Sequence, residues 1–118
     1  MATVLIVEDD ADIREIISEM LAEKGYGIAT AANGREALEQ LRAGPLPSLI
    51  LLDLMMPVMD GWQLRQELLA DPALASIPVV VVSGAADLHE SVAALRAASV
   101  LTKPVKWSAL LEAVEAHC

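Results

Sequence analysis

The chain has 118 residues, a length typical of one domain, and a formal net charge of −9. That charge opposes binding to nucleic-acid backbones and anionic membranes, but it suits metal cations and basic partners. No apolar run approaches the ~20 residues of a membrane span, and acids within the first ten residues argue against a signal peptide. The single cysteine, Cys118, allows no internal disulfide and fits a reducing cytoplasm.

Apolar runs alternate with segments of helical periodicity, which predicts five β-α units in a row. The predicted strands are Thr3–Val7, Tyr26–Ala31, Leu49–Leu52 ending on Asp53, Ile77–Val82 and Val100–Thr102. Capping pairs predict the starts of four helices: Asp12 with Glu15, Asn33 with Glu36, Asp60 with Gln63, and Asp87 with Glu90 for a helix through about Ala97. A fifth helix carries Trp107, Leu110, Leu111 and Val114. Strands of this kind joined by helices predict a parallel sheet with helices on both faces, a doubly wound α/β fold.

Polar side chains stand where four of the predicted strands end, namely Glu8 and Asp9, Asp53, Ser83 and Lys103. The carboxyl ends of parallel strands share one edge of the sheet, where open α/β folds bind ligands. Carboxylates placed together repel one another, and a set of hard oxygen ligands suits Mg²⁺. A lysine and a hydroxyl nearby can stabilise phosphoryl oxygens, and a carboxylate can itself be the nucleophile that becomes an aspartyl phosphate.

The chain resembles, over essentially its whole length, a receiver domain of a two-component response regulator of the chemotaxis single-domain kind. Four motifs carry the resemblance: VLIVEDD, LLDLMMPVMDG, VVVVSGA and LTKP. Each is weak alone, but together, in this order and at strand ends, they are specific. The resemblance implies one receiver domain over residues 1–118, with a flavodoxin-like (βα)5 fold and strand order 2-1-3-4-5.

The resemblance also implies a role for each strand-end residue. Asp53 would be the phosphoacceptor, Lys103 would contact the phosphoryl oxygens, and Ser83 would hydrogen-bond the phosphoryl group and report its presence. Mg²⁺ would be held by Asp9, Asp53 and the backbone carbonyl of Met55, with Glu8 acting through water. The Lys103–Pro104 peptide bond would be cis, a conformation that only proline makes inexpensive.

The implied function is a phosphorylation-activated switch that catalyses only its own phosphorylation and dephosphorylation. Asp53 would take the phosphoryl group from the phosphohistidine of a histidine kinase or phosphotransfer protein in the cytoplasm. The face made by the fourth predicted helix, the fifth strand and the fifth helix would then change and regulate a protein target or output domain. Homodimerisation on phosphorylation is compatible with this function, whereas direct binding to nucleic acid or membrane is not expected.

The sequence departs from the family pattern at several positions. Glu8 and Ser83 replace the commoner Asp and Thr, and the connection before Val100 is about two residues short and lacks the usual Gly-Ala. Val100 stands where the family usually carries Tyr or Phe, so we expect a smaller conformational shift or one carried by another residue. The alternative function is therefore a receiver-like interaction module that never takes phosphate.

Two enzymatic alternatives fit the sequence less well. A haloacid-dehalogenase-type phosphatase would need a second Asp where Met55 stands. A flavodoxin would place a phosphate-binding loop after the first strand, where Glu8, Asp9 and Asp10 would repel the phosphate.

Overall fold

The computed structural model describes residues 2–54, 58–84 and 96–118 of the chain. Five parallel strands form one sheet in the order β2-β1-β3-β4-β5, as expected from the resemblance. The strands are β1 (Thr3–Val7), β2 (Gly27–Ala31), β3 (Leu49–Asp53), β4 (Val79–Ser83) and β5 (Ser99–Thr102). The helices among the described residues are α1 (Ala11–Glu23), α2 (Gly34–Ala43), α3 (Gly61–Ala70) and α4 (Trp107–His117). Most of the fourth predicted helix falls in 85–95, outside the described residues, so α4 is the fifth helix of the sequence-based order.

Two separate apolar clusters cover the two faces of the sheet. Successive side chains of a strand point to opposite faces, so each buried strand contributes to both clusters. Leu5 and Val7 of β1 join the cluster formed with α2 and α3, whereas Val4 and Ile6 join the cluster formed with α1 and α4. This division confirms the predicted fold, a doubly wound sheet whose strands are buried on both sides.

The helix starts follow the predicted capping pairs at two positions out of the three described. Asp60 and Gln63 form a complete capping box at α3, and the Asn33 side chain accepts a hydrogen bond from the Glu36 amide at α2. The prediction for α1 is wrong, because the cap is Asp10, whose Oδ1 accepts from the amides of Asp12 and Ile13 at 2.9 and 3.2 Å. The extended backbone at Asp10 leaves Asp12 inside the first turn, where an acid still interacts favourably with the helix dipole.

Strand boundaries differ from the predicted ones by one or two residues. β4 begins at Val79 rather than Ile77, because Pro78 has no amide hydrogen to donate to the ladder. The Tyr26 amide donates to the Leu21 carbonyl in the turn after α1, so β2 begins one residue later than predicted. None of the helices in the described ranges has the length and apolarity needed to cross a lipid bilayer.

Candidate functional site

Three carboxylates meet at the carboxyl ends of β1 and β3. Glu8 continues the row of Val4 and Ile6, and the parallel register of these strands places that row beside the one that ends on Asp53. One oxygen from each of Glu8, Asp9 and Asp53 lies within 4.8 Å of the others. Glu8 and Asp53 are buried, at 6% and 4% exposure, whereas Asp9 is exposed. The acids predicted to converge therefore do so, with Asp9 on the solvent side.

Lys103 completes the cluster from the far edge of the sheet. Its Nζ lies 2.9 Å from Oδ2 of Asp53, so the ion pair joins residues 50 positions apart and reaches across β4. The Lys103 amide donates to the Ser83 carbonyl at 2.7 Å, and the Lys103–Pro104 peptide bond is cis. Backbone and side chain together fix the lysine at the same rim as the acids.

The charges of the cluster shift the protonation of Glu8 and Lys103. Burial, a hydrogen bond to Asp53 and the Asp53 charge raise the pKa of Glu8 from 4.5 to about 8, against a smaller opposing effect of Lys103. Burial would lower the pKa of Lys103, but its hydrogen bond to Asp53 and the surrounding acids outweigh burial and raise it. The cluster thus carries more negative charge than one ammonium neutralises, and Glu8 retains a proton that a bound cation would displace.

Ser83 and Val100 belong to strand rows on the opposite face of the sheet from the rows that end on Glu8 and Asp53. Ser83 is fully buried and continues the row of Val79 and Val81, which belongs to the α2/α3 cluster. Val81 pairs with Val100 in the β4–β5 ladder, so Ser83 and Val100 share a face. The Ser83 hydroxyl donates to the Gly84 carbonyl at 3.2 Å. Val100 is 39% exposed.

The segment after β3 is tied to two helices. The Gly61 amide donates to the Leu54 carbonyl at 2.9 Å, and the Gly34 amide donates to the Met59 carbonyl at the same distance. A side chain at Gly61 would meet the Asp53 carbonyl oxygen at 2.7 Å, which explains the glycine at this close approach. Met55, whose carbonyl was predicted to bind the metal, lies in 55–57, outside the described residues.

Two features near the site were not found by sequence reasoning. Arg14 on α1 donates from Nη1 to the main-chain carbonyl of Glu8 at 2.7 Å. In addition, an apolar groove of about 660 Å³ runs between α1 and α4 up to Lys103. Ile13 and Ile16 line this groove and remain 41% and 55% exposed, so periodicity identified the helix but not the exposure of its apolar stripe.

The donor set of the cluster fits Mg²⁺. Three carboxylates supply hard oxygen ligands in the partial number that leaves positions for water or a phosphate. Burial, with a further contribution from the Asp53 carboxylate, raises the pKa of Glu8, and a divalent cation would relieve the repulsion between these two acids. A carboxylate nucleophile, an ammonium and a cation site together are the groups used in phosphoryl transfer.

The family model of the response regulator receiver domain matches residues 4–115. The chain therefore belongs to this family, the receiver domains of two-component signalling.

Relatives and solved structures agree with this assignment. An uncharacterised 14.6 kDa protein from the sodA1 3′ region of Leptolyngbya boryana is 34% identical over 98% of this chain and 88% of that protein. Response regulator PleD of Caulobacter vibrioides is 37% identical over 88% of this chain, which spans 23% of PleD. Response regulator protein TrrA of Thermotoga maritima, crystallised in complex with Mg²⁺-BeF, matches with a TM-score of 0.88 at 28% identity and 100% coverage of both chains.

Proposed function

We propose that this domain is a phosphorylation-activated signalling switch in which Asp53 accepts a phosphoryl group from a phosphohistidine. The observation that carries the proposal is the contact of Lys103 with Asp53 at 2.9 Å beside the Glu8–Asp9–Asp53 cluster. Burying a strand-end carboxylate beside an ammonium and two more acids costs stability, and such arrangements are concentrated at functional sites.

The transfer needs one bond to form and one to break. A carboxylate oxygen of Asp53 bonds to phosphorus as the phosphorus–nitrogen bond to the donor imidazole breaks. The electron pair of that bond leaves with the imidazole. Lys103 would contact the phosphoryl oxygens, and its ammonium would stabilise the charge that spreads over them.

Mg²⁺ would be held by Asp9 and Asp53, with Glu8 acting through water and the Met55 carbonyl as a further ligand. When bound, the ion supplies positive charge to the acids and the phosphoryl oxygens. Burial and then the Asp53 carboxylate raise the pKa of Glu8, and a cation held at the site would favour its deprotonated form.

Ser83 and Val100 are the proposed switch residues. The Ser83 hydroxyl, which now donates to the Gly84 carbonyl, would donate to a phosphoryl oxygen instead. Val100 lies on the same face of the sheet as Ser83 and is partly exposed. A displacement of the Ser83 side chain would therefore change the space available to Val100. The resulting shift of β5, α4 and the fourth predicted helix would alter the surface offered to a protein target or output domain.

The proposed partners are a cytoplasmic histidine kinase or phosphotransfer protein and a downstream protein or output domain. The net charge of −9 disfavours direct contact with nucleic acid or an anionic membrane. Apart from its own phosphorylation and dephosphorylation, the domain would catalyse no reaction, and homodimerisation on phosphorylation is compatible with the proposal.

Incubation with acetyl phosphate, followed by intact-mass measurement with and without Mg²⁺, tests the proposal. We expect one phosphoryl adduct that requires Mg²⁺ and disappears in Asp53→Asn, because the amide is no nucleophile. Asp12→Asn makes the same chemical change on the exposed first turn of α1 and should leave the adduct intact. An adduct that persists in Asp53→Asn contradicts the assignment. A wild-type chain that binds Mg²⁺ yet takes no phosphoryl group would favour the phosphorylation-independent interaction module.

A further inference from the structure

Arg14 makes a contact that the proposed phosphoryl chemistry does not use. It lies on the first turns of α1, and its guanidinium Nη1 donates to the main-chain carbonyl of Glu8, six residues earlier, at 2.7 Å. The contact is partly buried, and the distance is short for a nitrogen–oxygen hydrogen bond, as expected when the donor is charged.

The carbonyl that Arg14 holds belongs to the peptide unit between Glu8 and Asp9. One acid of the cluster stands on each side of this unit, so its orientation decides where both carboxylates point. The Glu8 amide, in the preceding peptide unit, donates to the Ala31 carbonyl of β2 at 3.1 Å. Asp10, the next residue after Asp9, is fixed as the cap of α1. Arg14 therefore completes the fixation of a short segment whose ends are already anchored.

Of the acids in the cluster, Asp9 should change its side-chain position most if this peptide unit rotates. It is exposed, so packing restrains its side chain less than it restrains the buried Glu8. We propose that Arg14 is a positioning residue for the Mg²⁺ site, which holds the Glu8 carbonyl so that Glu8 and Asp9 point at the pocket shared with Asp53. This inference rests on the Mg²⁺ site of the proposed function, but it does not require that Asp53 take phosphate.

Geometry and charge predict opposite effects when Arg14 is replaced. Removing the positive charge that contacts the Glu8 main chain should by itself tighten binding of a cation. Losing the bond to the Glu8 carbonyl should weaken it, because groups that orient metal ligands typically contribute tenfold or more to affinity. The direction of the change therefore separates positioning from simple electrostatics.

The test is a Mg²⁺ titration of the full chain, in which binding is measured by calorimetry and by the changes in the amide NMR shifts of Glu8 and Asp9. We expect about tenfold weaker binding in Arg14→Met, which keeps length and helix propensity. Arg14→Lys, which keeps the charge but not the planar donor, should fall between that variant and the wild type. Arg35→Met is the matched control, because the Arg35 side chain is 71% exposed on α2 and its ion pair there is with Glu39, at 3.9 Å.

Unchanged or tighter Mg²⁺ binding in a folded Arg14→Met chain overturns the proposal, as does equal weakening in Arg35→Met. If Arg14→Met does not fold, Arg14→Gln carries the same expectation and is contradicted by the same result. Acetyl phosphate labelling of the wild type is measured in parallel. Failure of labelling with normal Mg²⁺ binding counts against the phosphoryl switch alone, and failure of Arg14→Met to weaken Mg²⁺ binding counts against the role of Arg14 alone.

Discussion

The two members of the Asp53–Lys103 ion pair differ sharply in exposure, and this should make their removal unequal. Asp53 is 4% exposed, whereas the Lys103 side chain is 41% exposed. Lys103→Met leaves a buried carboxylate beside two other acids, and we expect it to lower the free energy of unfolding by about 1–2 kcal/mol, discounted for partial exposure. Asp53→Asn leaves a lysine that reaches water and relieves repulsion among the acids, so stability should hold or rise. Urea unfolding in the absence of metal measures both.

The exposed Lys106, at the start of α4, provides the control for that comparison. Lys106→Met removes the same charge, and its side chain makes no capping hydrogen bond. It should change stability by no more than about 0.5 kcal/mol. A larger loss in Asp53→Asn than in Lys103→Met would contradict the reasoning.

Glu8 should make the metal-free domain less stable as pH rises. The pKa of its carboxyl is about 8 in the folded chain against an ordinary 4.5, so the folded state binds the proton more tightly than the unfolded state. Its contribution is therefore complete below about pH 4.5 and is lost as pH rises towards about pH 8. Unfolding in chelator across this range should show the decline, and Glu8→Gln should reduce it. Saturating Mg²⁺ should reverse the trend, because the ion binds the deprotonated carboxylate. A pH profile that is the same in Glu8→Gln and the wild type would show that another group is responsible.

At the scale of elements, the first residue of α3 packs directly on the end of β3. A Cβ at Gly61 would lie 2.7 Å from both the Asp53 carbonyl oxygen and the Leu54 Cα. Because both are backbone atoms, Gly61→Ala should displace the strand end and cost about 1–3 kcal/mol of stability. It should also weaken Mg²⁺ binding, since Asp53 is the residue displaced.

Gly44→Ala is the contrasting variant for this prediction. Gly44 has open space around it but a φ of +64°, so alanine there is strained without crowding the site. We expect a loss of about 1 kcal/mol and unchanged Mg²⁺ affinity. Equal Mg²⁺ affinities in the two variants would show that the helix start does not position Asp53.

The sequence predicts elements well where one local pattern decides them, and less well where distant atoms do. Strand-end placement follows from parallel topology, so the meeting of Glu8, Asp53 and Lys103 is accessible from sequence. The cap of α1 is not accessible from the sequence, because Asp10 and Asp12 both fit a capping signal. Only the backbone conformation at Asp10 determines which of the two is the cap. The hydrogen bond from Arg14 is also inaccessible, since its acceptor is a main-chain carbonyl and not a residue type.

Arg65 is a further example of what the pattern could not predict. It sits on α3, is 4% exposed, and donates from Nη2 to the Arg96 carbonyl at 3.1 Å, 31 residues away. Burial, together with the Arg96 charge, lowers the pKa of its guanidinium. Charged residues are rarely buried in this way, so composition and periodicity would assign it to the surface.

At the scale of the whole molecule, Val100 should limit how far the domain changes on activation. It is smaller than the aromatic residue usual in the family, and at 39% exposure its side chain already contacts solvent. We expect beryllofluoride with Mg²⁺ to shift amide NMR signals strongly around Asp53 and Ser83 and only modestly around Val100. Val100→Tyr should enlarge the shifts on β5, and Leu101→Ile, on the opposite face of that strand, should not. Large displacements around Val100 in the wild type would contradict this expectation.

The alternation of side chains along the strands has a consequence for which surfaces of the protein a change at the site can affect. Glu8, Asp53 and Lys103 extend rows that belong to the α1/α4 layer, whereas Asp9 and Ser83 extend rows of the α2/α3 layer. The rows of both faces end at one rim of the sheet, where Asp9 joins the same cluster as Glu8 and Asp53. A change at this rim therefore adjoins the helices of both layers, so surfaces on either side of the protein can respond to it.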